Sequence, residues 1–112
     1  MHELFIAQSI VELAEDVAFK EQADSIQSID IEIGALSGVV FDALEFALGM
    51  TIKNTKLENA KINYMEINGL ADCLNCNFQF KTNDLLALCP NCNKANFKII
   101  NGKQLRIKSL IV

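Results

Sequence analysis

The sequence predicts a small α/β protein of the α+β kind: two helices on a three-stranded sheet, with a four-cysteine lobe inserted before the last strand. Three observations predict it. Apolar residues near the amino terminus recur at helical spacing, as they do again in the middle of the chain. Three other segments alternate apolar and polar residues, the pattern of half-buried strands. All four cysteines fall in two close pairs between two Asn-Gly dipeptides, which favour positive φ and so mark turns. A chain of 112 residues has room for one such core and a small lobe.

The first helix follows from Leu4, Ala7, Ile10, Val11, Ala14, Val17 and Ala18, which form one stripe, while Glu12, Glu15 and Asp16 fall largely opposite. The stripe places it over about residues 3–22. In SIQSIDIEIG, Ile29, Ile31 and Ile33 point one way and Asp30 and Glu32 the other, so this is a strand closed by Gly34. Ser37 and Gly38 interrupt the pattern. VVFDALEFALGMTI then reads as a second helix with Phe41, Leu44, Leu48 and Ile52 in line, although Gly49 weakens it. A second strand is expected over Ala60–Ile67, and QLRIKSLIV, with Leu105 and Ile107 against Arg106 and Lys108, is the third. The pairs Asn68-Gly69 and Asn101-Gly102 become the necks of the lobe. The expected division is residues 1–68 plus 102–112 for the α/β body and 69–101 for the lobe.

Composition narrows the function. Half of the residues, 51%, are hydrophobic, so the chain can bury a core and is not disordered. A net charge of -4 argues against nucleic acid, whose phosphates call for clustered Lys and Arg. No apolar run nears the ~20 residues needed to cross a bilayer, so no membrane role is expected. The acidic opening segment is unlike a secretory signal. The expected location is therefore the cytoplasm, where thiols stay reduced and paired cysteines point to metal rather than to disulfides.

The lobe reads Cys73-x2-Cys76, twelve residues, then Cys89-x2-Cys92. Each two-residue spacing lets one turn aim two thiolates at one ion, and two such turns complete a tetrahedral S4 site suited to Zn2+ at Zn–S of ~2.3 Å. Pro90 presets φ for the second turn. Disulfides or four unrelated core thiols are the bland alternative. Iron shares the ligand set and ranks below zinc, because Asn77 and Asn93 stand where rubredoxin-type knuckles usually carry glycine. Four protein ligands leave no open position for an activated water, so the ion serves folding rather than reaction. Phe78, Phe80, Leu85, Leu86, Leu88 and Phe97 are expected to form the core of the lobe.

His2, the one histidine, reads by itself either as a surface residue at a terminus or as a ligand. The second reading has specific chemistry behind it. The Met1 amine, the His2 amide nitrogen and imidazole Nδ1 can close a five- and a six-membered ring on one ion, three nitrogens in a plane, as square-planar Ni(II) or Cu(II) prefers. The first N–H groups of a helix have no intrahelical acceptor, so this amide can lose its proton without breaking a ladder bond. The helix dipole disfavours a cation there, and the amide's negative charge together with Glu3 offsets it.

Met-His-Glu opening a helix, IEIGALSGV, a C-x2-C-x12-C-P-x-C lobe and a closing QLRIKSL strand, in that order and end to end, resemble the HypA/HybF family of nickel-incorporation proteins for hydrogenase maturation. The resemblance implies Ni2+ carried at Met1, His2 and Glu3, and structural Zn2+ at Cys73, Cys76, Cys89 and Cys92 in a zinc-ribbon-like lobe. It also implies a HypB-type GTPase as partner, the hydrogenase large subunit as recipient and no catalysis. The chain is expected to be a monomer or a weak homodimer. It has no further histidine near the cysteines, so the fourth nickel position would fall to water, a second protomer or a partner. Two other readings are a zinc-ribbon adaptor for protein or RNA, for which Lys94, Lys98 and Lys103 are too few, and a hydrolytic metalloenzyme, which lacks a second histidine.

Overall fold

The computed structural model describes residues 2–112, so the expected role of the Met1 amine lies outside the described residues. The elements are α1 (Glu3–Lys20), β1 (Ser28–Gly34), α2 (Phe41–Thr51), β2 (Lys61–Ile67), β3 (Leu70–Cys73), β4 (Gln79–Lys81), β5 (Phe97–Asn101) and β6 (Leu105–Ile111). They form two three-stranded sheets, ordered β2-β1-β6 and β4-β3-β5. The chain divides into two compact units. One runs up to Glu32 and adds Val39–Met65 and Arg106–Val112; the other holds Ile33–Gly38 and Glu66–Leu105.

In the first unit α1 packs along α2. Ala7, Ala14 and Ala18 are fully buried beside Ile10 and Val11, and α2 contributes Leu44, Ala47 and Leu48. Alanine on the packed stripe lets two helix axes approach closely. Ile29 and Ile31 of β1 complete this core with Ile26 and Leu57. Leu4 and Val17, expected inside, are 50% and 42% exposed because they lie at the margins of the stripe. Phe41 is also 40% exposed, and it meets Tyr64 edge-on at 5.0 Å.

Helix α1 stops two residues short of the expected end. Gln22 takes φ 55°, its N–H bonds to Phe19 O at 3.0 Å, and the Ala23 N–H bonds to Ala18 O at 2.9 Å. This is the two-bond Schellman stop, usually announced by glycine; with glutamine in the left-handed position no signal was visible.

Strand β1 is central in its sheet, so side chains of β2 and β6 flank the acids on its polar face. Asp30 accepts from Asn63 Nδ2 at 2.8 Å and from Ser109 Oγ at 3.0 Å. Arg106 Nε donates to Glu32, which is only 7% exposed.

The second unit is wider than residues 69–101. The stretch after β1 joins it through backbone bonds: Ala35 N–H to Ile67 O at 2.8 Å, Leu36 N–H to Gly102 O at 2.8 Å and Gly34 N–H to Gln104 O at 2.6 Å. Of the two Asn-Gly pairs only Gly102 has positive φ, at 107°. What both glycines provide instead is close approach. A Cβ built on Gly102 would sit 2.6 Å from Gly69 Cα, and one on Gly69 would run into the Thr82 carbonyl.

In this unit β3 pairs antiparallel with both neighbours, placing Ala71 opposite Phe80 and Ile99, and Cys73 opposite Phe97. The core around the cysteines is Ala71, Cys73, Phe80 and Cys89, with Cys76, Cys92, Phe97 and Ile99 packed against them, and Ile33 and Leu36 are buried in the same unit. Phe80 and Phe97 meet edge-on at 5.5 Å. The other expected core residues are outside: Phe78 is 43% exposed, Leu85 56%, Leu86 88% and Leu88 50%. The segment carrying those leucines folds over Asp84, whose carboxylate accepts the Leu86 N–H at 2.9 Å, and not over the sheet. Cysteines occupy the interior that the sequence reading had filled with leucine.

Candidate metal centre

Each cysteine pair sits in a knuckle closed by its own backbone. In the first, the Asn77 N–H donates to Cys73 O at 3.0 Å and the Cys73 N–H to Phe78 O at 2.9 Å. In the second, the Asn93 N–H donates to Cys89 O at 2.7 Å and the Cys89 N–H to Lys94 O at 2.9 Å. The two turns repeat one geometry. Asn77 and Asn93 both have φ 62°, the left-handed conformation that asparagine tolerates best after glycine. The position usually given to glycine is thus filled in conformation, and asparagine there does not distinguish zinc from iron.

The four Sγ atoms lie within 4.8 Å of one another. Cys73 Sγ is 3.4 Å from Cys92 Sγ, and Cys76 Sγ is 3.7 Å from Cys89 Sγ. A tetrahedral S4 site with bonds of ~2.3 Å has sulfurs about 3.8 Å apart, whereas a disulfide needs about 2.05 Å. All four cysteines are free. The quartet therefore fits one tetrahedral ion and excludes the disulfide alternative in this fold.

Cys76 and Cys92 ionise in opposite senses. Hydrogen bonds from the Asn91 side chain at 3.4 Å and from backbone lower the Cys76 thiol to about 6. At Cys92 a backbone bond from Lys94 favours the thiolate, but burial and the three neighbouring sulfurs outweigh it and push the thiol up to about 12. Negative charge gathered by the first thiolates makes the last one hard to form, and a divalent ion at the centre reverses that cost. Asn91 is not among the residues expected from the sequence. The available signal was its place between Cys89 and Cys92, in a position where an amide can reach a sulfur of the other knuckle.

Of the predicted nickel residues, His2 and Glu3 lie at the start of α1, in the first unit. His2 is the exposed N-cap residue, and its carbonyl accepts the Ile6 N–H at 3.1 Å. It borders an open depression with Leu4, Phe5 and Gln8. The Glu3 carboxylate is engaged elsewhere: Oε2 accepts the N–H of Val40, the N-cap residue of α2, at 3.0 Å. Nothing in the sequence marked this contact, because its donor is a backbone group 37 residues away.

Chiefly through that hydrogen bond, the Glu3 carboxyl is held below the usual carboxylate range. A lowered acid stabilises the fold above its unfolded pKa and loses the contribution as pH falls through the lowered folded value. Glu3→Gln, which keeps an acceptor but cannot titrate, is expected to flatten the acid end of a thermal-midpoint-against-pH curve. An unchanged acid limb would rule out the Val40 contact as a source of pH-dependent stability.

Comparison with known proteins gives one result throughout. The model of a family described as HypA, hydrogenase/urease nickel incorporation, metallochaperone, matches residues 1–112. A hydrogenase maturation factor HypA of Parabacteroides distasonis is 46% identical over 112 residues, covering 100% of this chain and 97% of the relative. Another from Chloroflexus aurantiacus is 37% identical over 111 residues, covering 98% and 97%. The solution structure of the Ni metallochaperone HypA from Helicobacter pylori superposes with a TM-score of 0.68 at 26% identity, covering 99% of this chain and 97% of that one.

Proposed function

The chain belongs to the HypA family of nickel-incorporation metallochaperones for hydrogenase and urease, and on that premise we propose that it carries Ni(II) on Met1, His2 and Glu3 and passes it on for maturation of a nickel-iron hydrogenase or another nickel enzyme. The observation that carries this reading is the setting of His2: exposed, one residue from the amino terminus and just outside the first helical turn. The Met1 amine, the deprotonated His2 amide and imidazole Nδ1 supply three in-plane nitrogens. Glu3 keeps its carboxylate on the Val40 N–H and contributes negative charge near the ion rather than a fourth in-plane donor. The fourth position is left to a donor outside the tripeptide. An exposed, incomplete ligand set suits cargo that must leave again, as a closed site does not.

Cys73, Cys76, Cys89 and Cys92 hold Zn2+, which supplies folding free energy to the second unit and no chemistry. The protein acts in the cytoplasm without catalysing a reaction, receives help from a HypB-type GTPase and serves the hydrogenase large subunit. Among the described residues no helix is long and apolar enough to cross a membrane.

Equilibrium dialysis of the tagless chain against Ni(II) tests the reading, with one ion per amino terminus expected in addition to the zinc. Nitrogen ligands bind metal only when deprotonated, so affinity should fall steadily as the buffer is acidified from pH 7 towards 6. A profile flat across that interval would point to carboxylate ligands and against the chelate.

A further inference from the structure

Both Asn-Gly pairs are bridged in the same way by a primary amide from elsewhere in the second unit. At Asn68-Gly69 the bridge is Asn83: its Oδ1 accepts the Gly69 N–H at 2.9 Å and its Nδ2 donates to Asn68 Oδ1 at 3.5 Å. At Asn101-Gly102 it is Gln104: its Oε1 accepts the Gly102 N–H at 2.8 Å and its Nε2 donates to Asn101 Oδ1. One side chain thus holds the glycine nitrogen and the asparagine carbonyl oxygen at each site. The repetition is specific. Asn83 lies 14 residues after its glycine and Gln104 two, so sequence spacing does not produce it.

Those two atoms belong to the groups that react when asparagine deamidates. The glycine nitrogen loses its proton and attacks the asparagine side-chain carbonyl carbon, forming the C–N bond of a cyclic imide. The C–NH2 bond breaks and ammonia leaves with the proton returned from solvent. Water then opens the imide to aspartate or isoaspartate, with no change of oxidation state. Asn-Gly is intrinsically prone to this because glycine leaves the nitrogen unshielded. A glycine N–H already donated to an oxygen is harder to deprotonate, and its nitrogen cannot swing towards the side chain while the bridge is closed.

We propose that Asn68 and Asn101 are deamidation sites that the fold keeps latched, with Asn83 and Gln104 as the latches. The two sites share one neck, where Gly102 packs on Gly69. Each conversion adds a negative charge there, and isoaspartate also inserts a methylene into the backbone. Either product disturbs the turn whose Gly102 carbonyl accepts the Leu36 N–H. The modification records how often the neck opens.

The test is site-resolved peptide mass spectrometry on the full chain aged at neutral pH, beside synthetic peptides spanning each Asn-Gly pair. In the native chain both sites should react at least about tenfold more slowly than in the peptides, a factor that one hydrogen bond of ordinary net strength can give. Asn83→Ala should accelerate Asn68 alone, and Gln104→Ala should accelerate Asn101 alone. Asn83→Asp, which keeps the acceptor, should leave Gly69 protected. Native rates equal to those of the peptides would overturn the proposal. So would a single variant that speeds both sites alike, since that is the signature of general unfolding, or an Asn83→Asp chain as labile as the alanine variant.

Discussion

Replacing Cys89 with alanine is expected to abolish zinc binding and unfold the second unit, while the helices of the first unit persist. Cys89 has no exposed surface and belongs to a core of four buried residues, two of them cysteines. The substitution therefore removes a ligand and part of the interior together. Apart from the cysteines the unit buries few large side chains, Phe80, Ile33 and Leu36, while Phe78, Leu85, Leu86 and Leu88 are exposed. Structural zinc sites of this kind contribute about 10–16 kcal/mol at neutral pH, as much as the whole stability of an ordinary domain. The core of the first unit, Ala7, Ile10, Val11, Ala14, Leu44 and Leu48 among others, contains no cysteine. Zinc content by elemental analysis and an amide spectrum measure the two effects separately. One tightly bound zinc per chain with unshifted β3–β5 resonances would sink the S4 assignment.

A Gly-Ser extension before Met1 should weaken nickel binding by at least about a hundredfold, or ~2.7 kcal/mol. It converts the amine into a neutral amide that holds its proton far more tightly, and it breaks the five-membered ring. His2→Ala should do at least as much harm by removing the imidazole. Neither change should disturb the fold by more than about 0.5 kcal/mol, because His2 is exposed and the first buried side chain of α1 is Ala7. Zinc content should stay constant. An extended His2→Ala chain that binds one Ni(II) as tightly as the native protein would end the amino-terminal reading.

Helices α1 and α2 and strands β1, β2 and β6 were legible because each repeats its pattern over seven or more residues. The three short strands β3, β4 and β5 were not separately legible, since three to five residues carry no period. The cysteine quartet was readable from spacing alone, and its sulfurs meet as the spacing requires. Contacts made by single groups were invisible. The Glu3 carboxylate on the Val40 N–H joins positions 37 residues apart whose proximity no local pattern encodes.

By itself the sequence determined the fold class, the main elements, the cysteine quartet and the membership implied by Met1-His2-Glu3 in combination with that quartet. These are local matters, decided by residue type, period and spacing. Only the tertiary structure decided that Ile33–Gly38 belongs with the cysteine-bearing unit, and that Leu85, Leu86 and Leu88 face outward. It also decided that one amide bridges each Asn-Gly pair. The physical reason is common to all of them. Burial and hydrogen-bond pairing depend on which surfaces meet, and apolar character alone does not say whether a leucine finds a partner. In the second unit the sulfurs occupied the interior, so the leucines of the Asp84 loop remained at the surface.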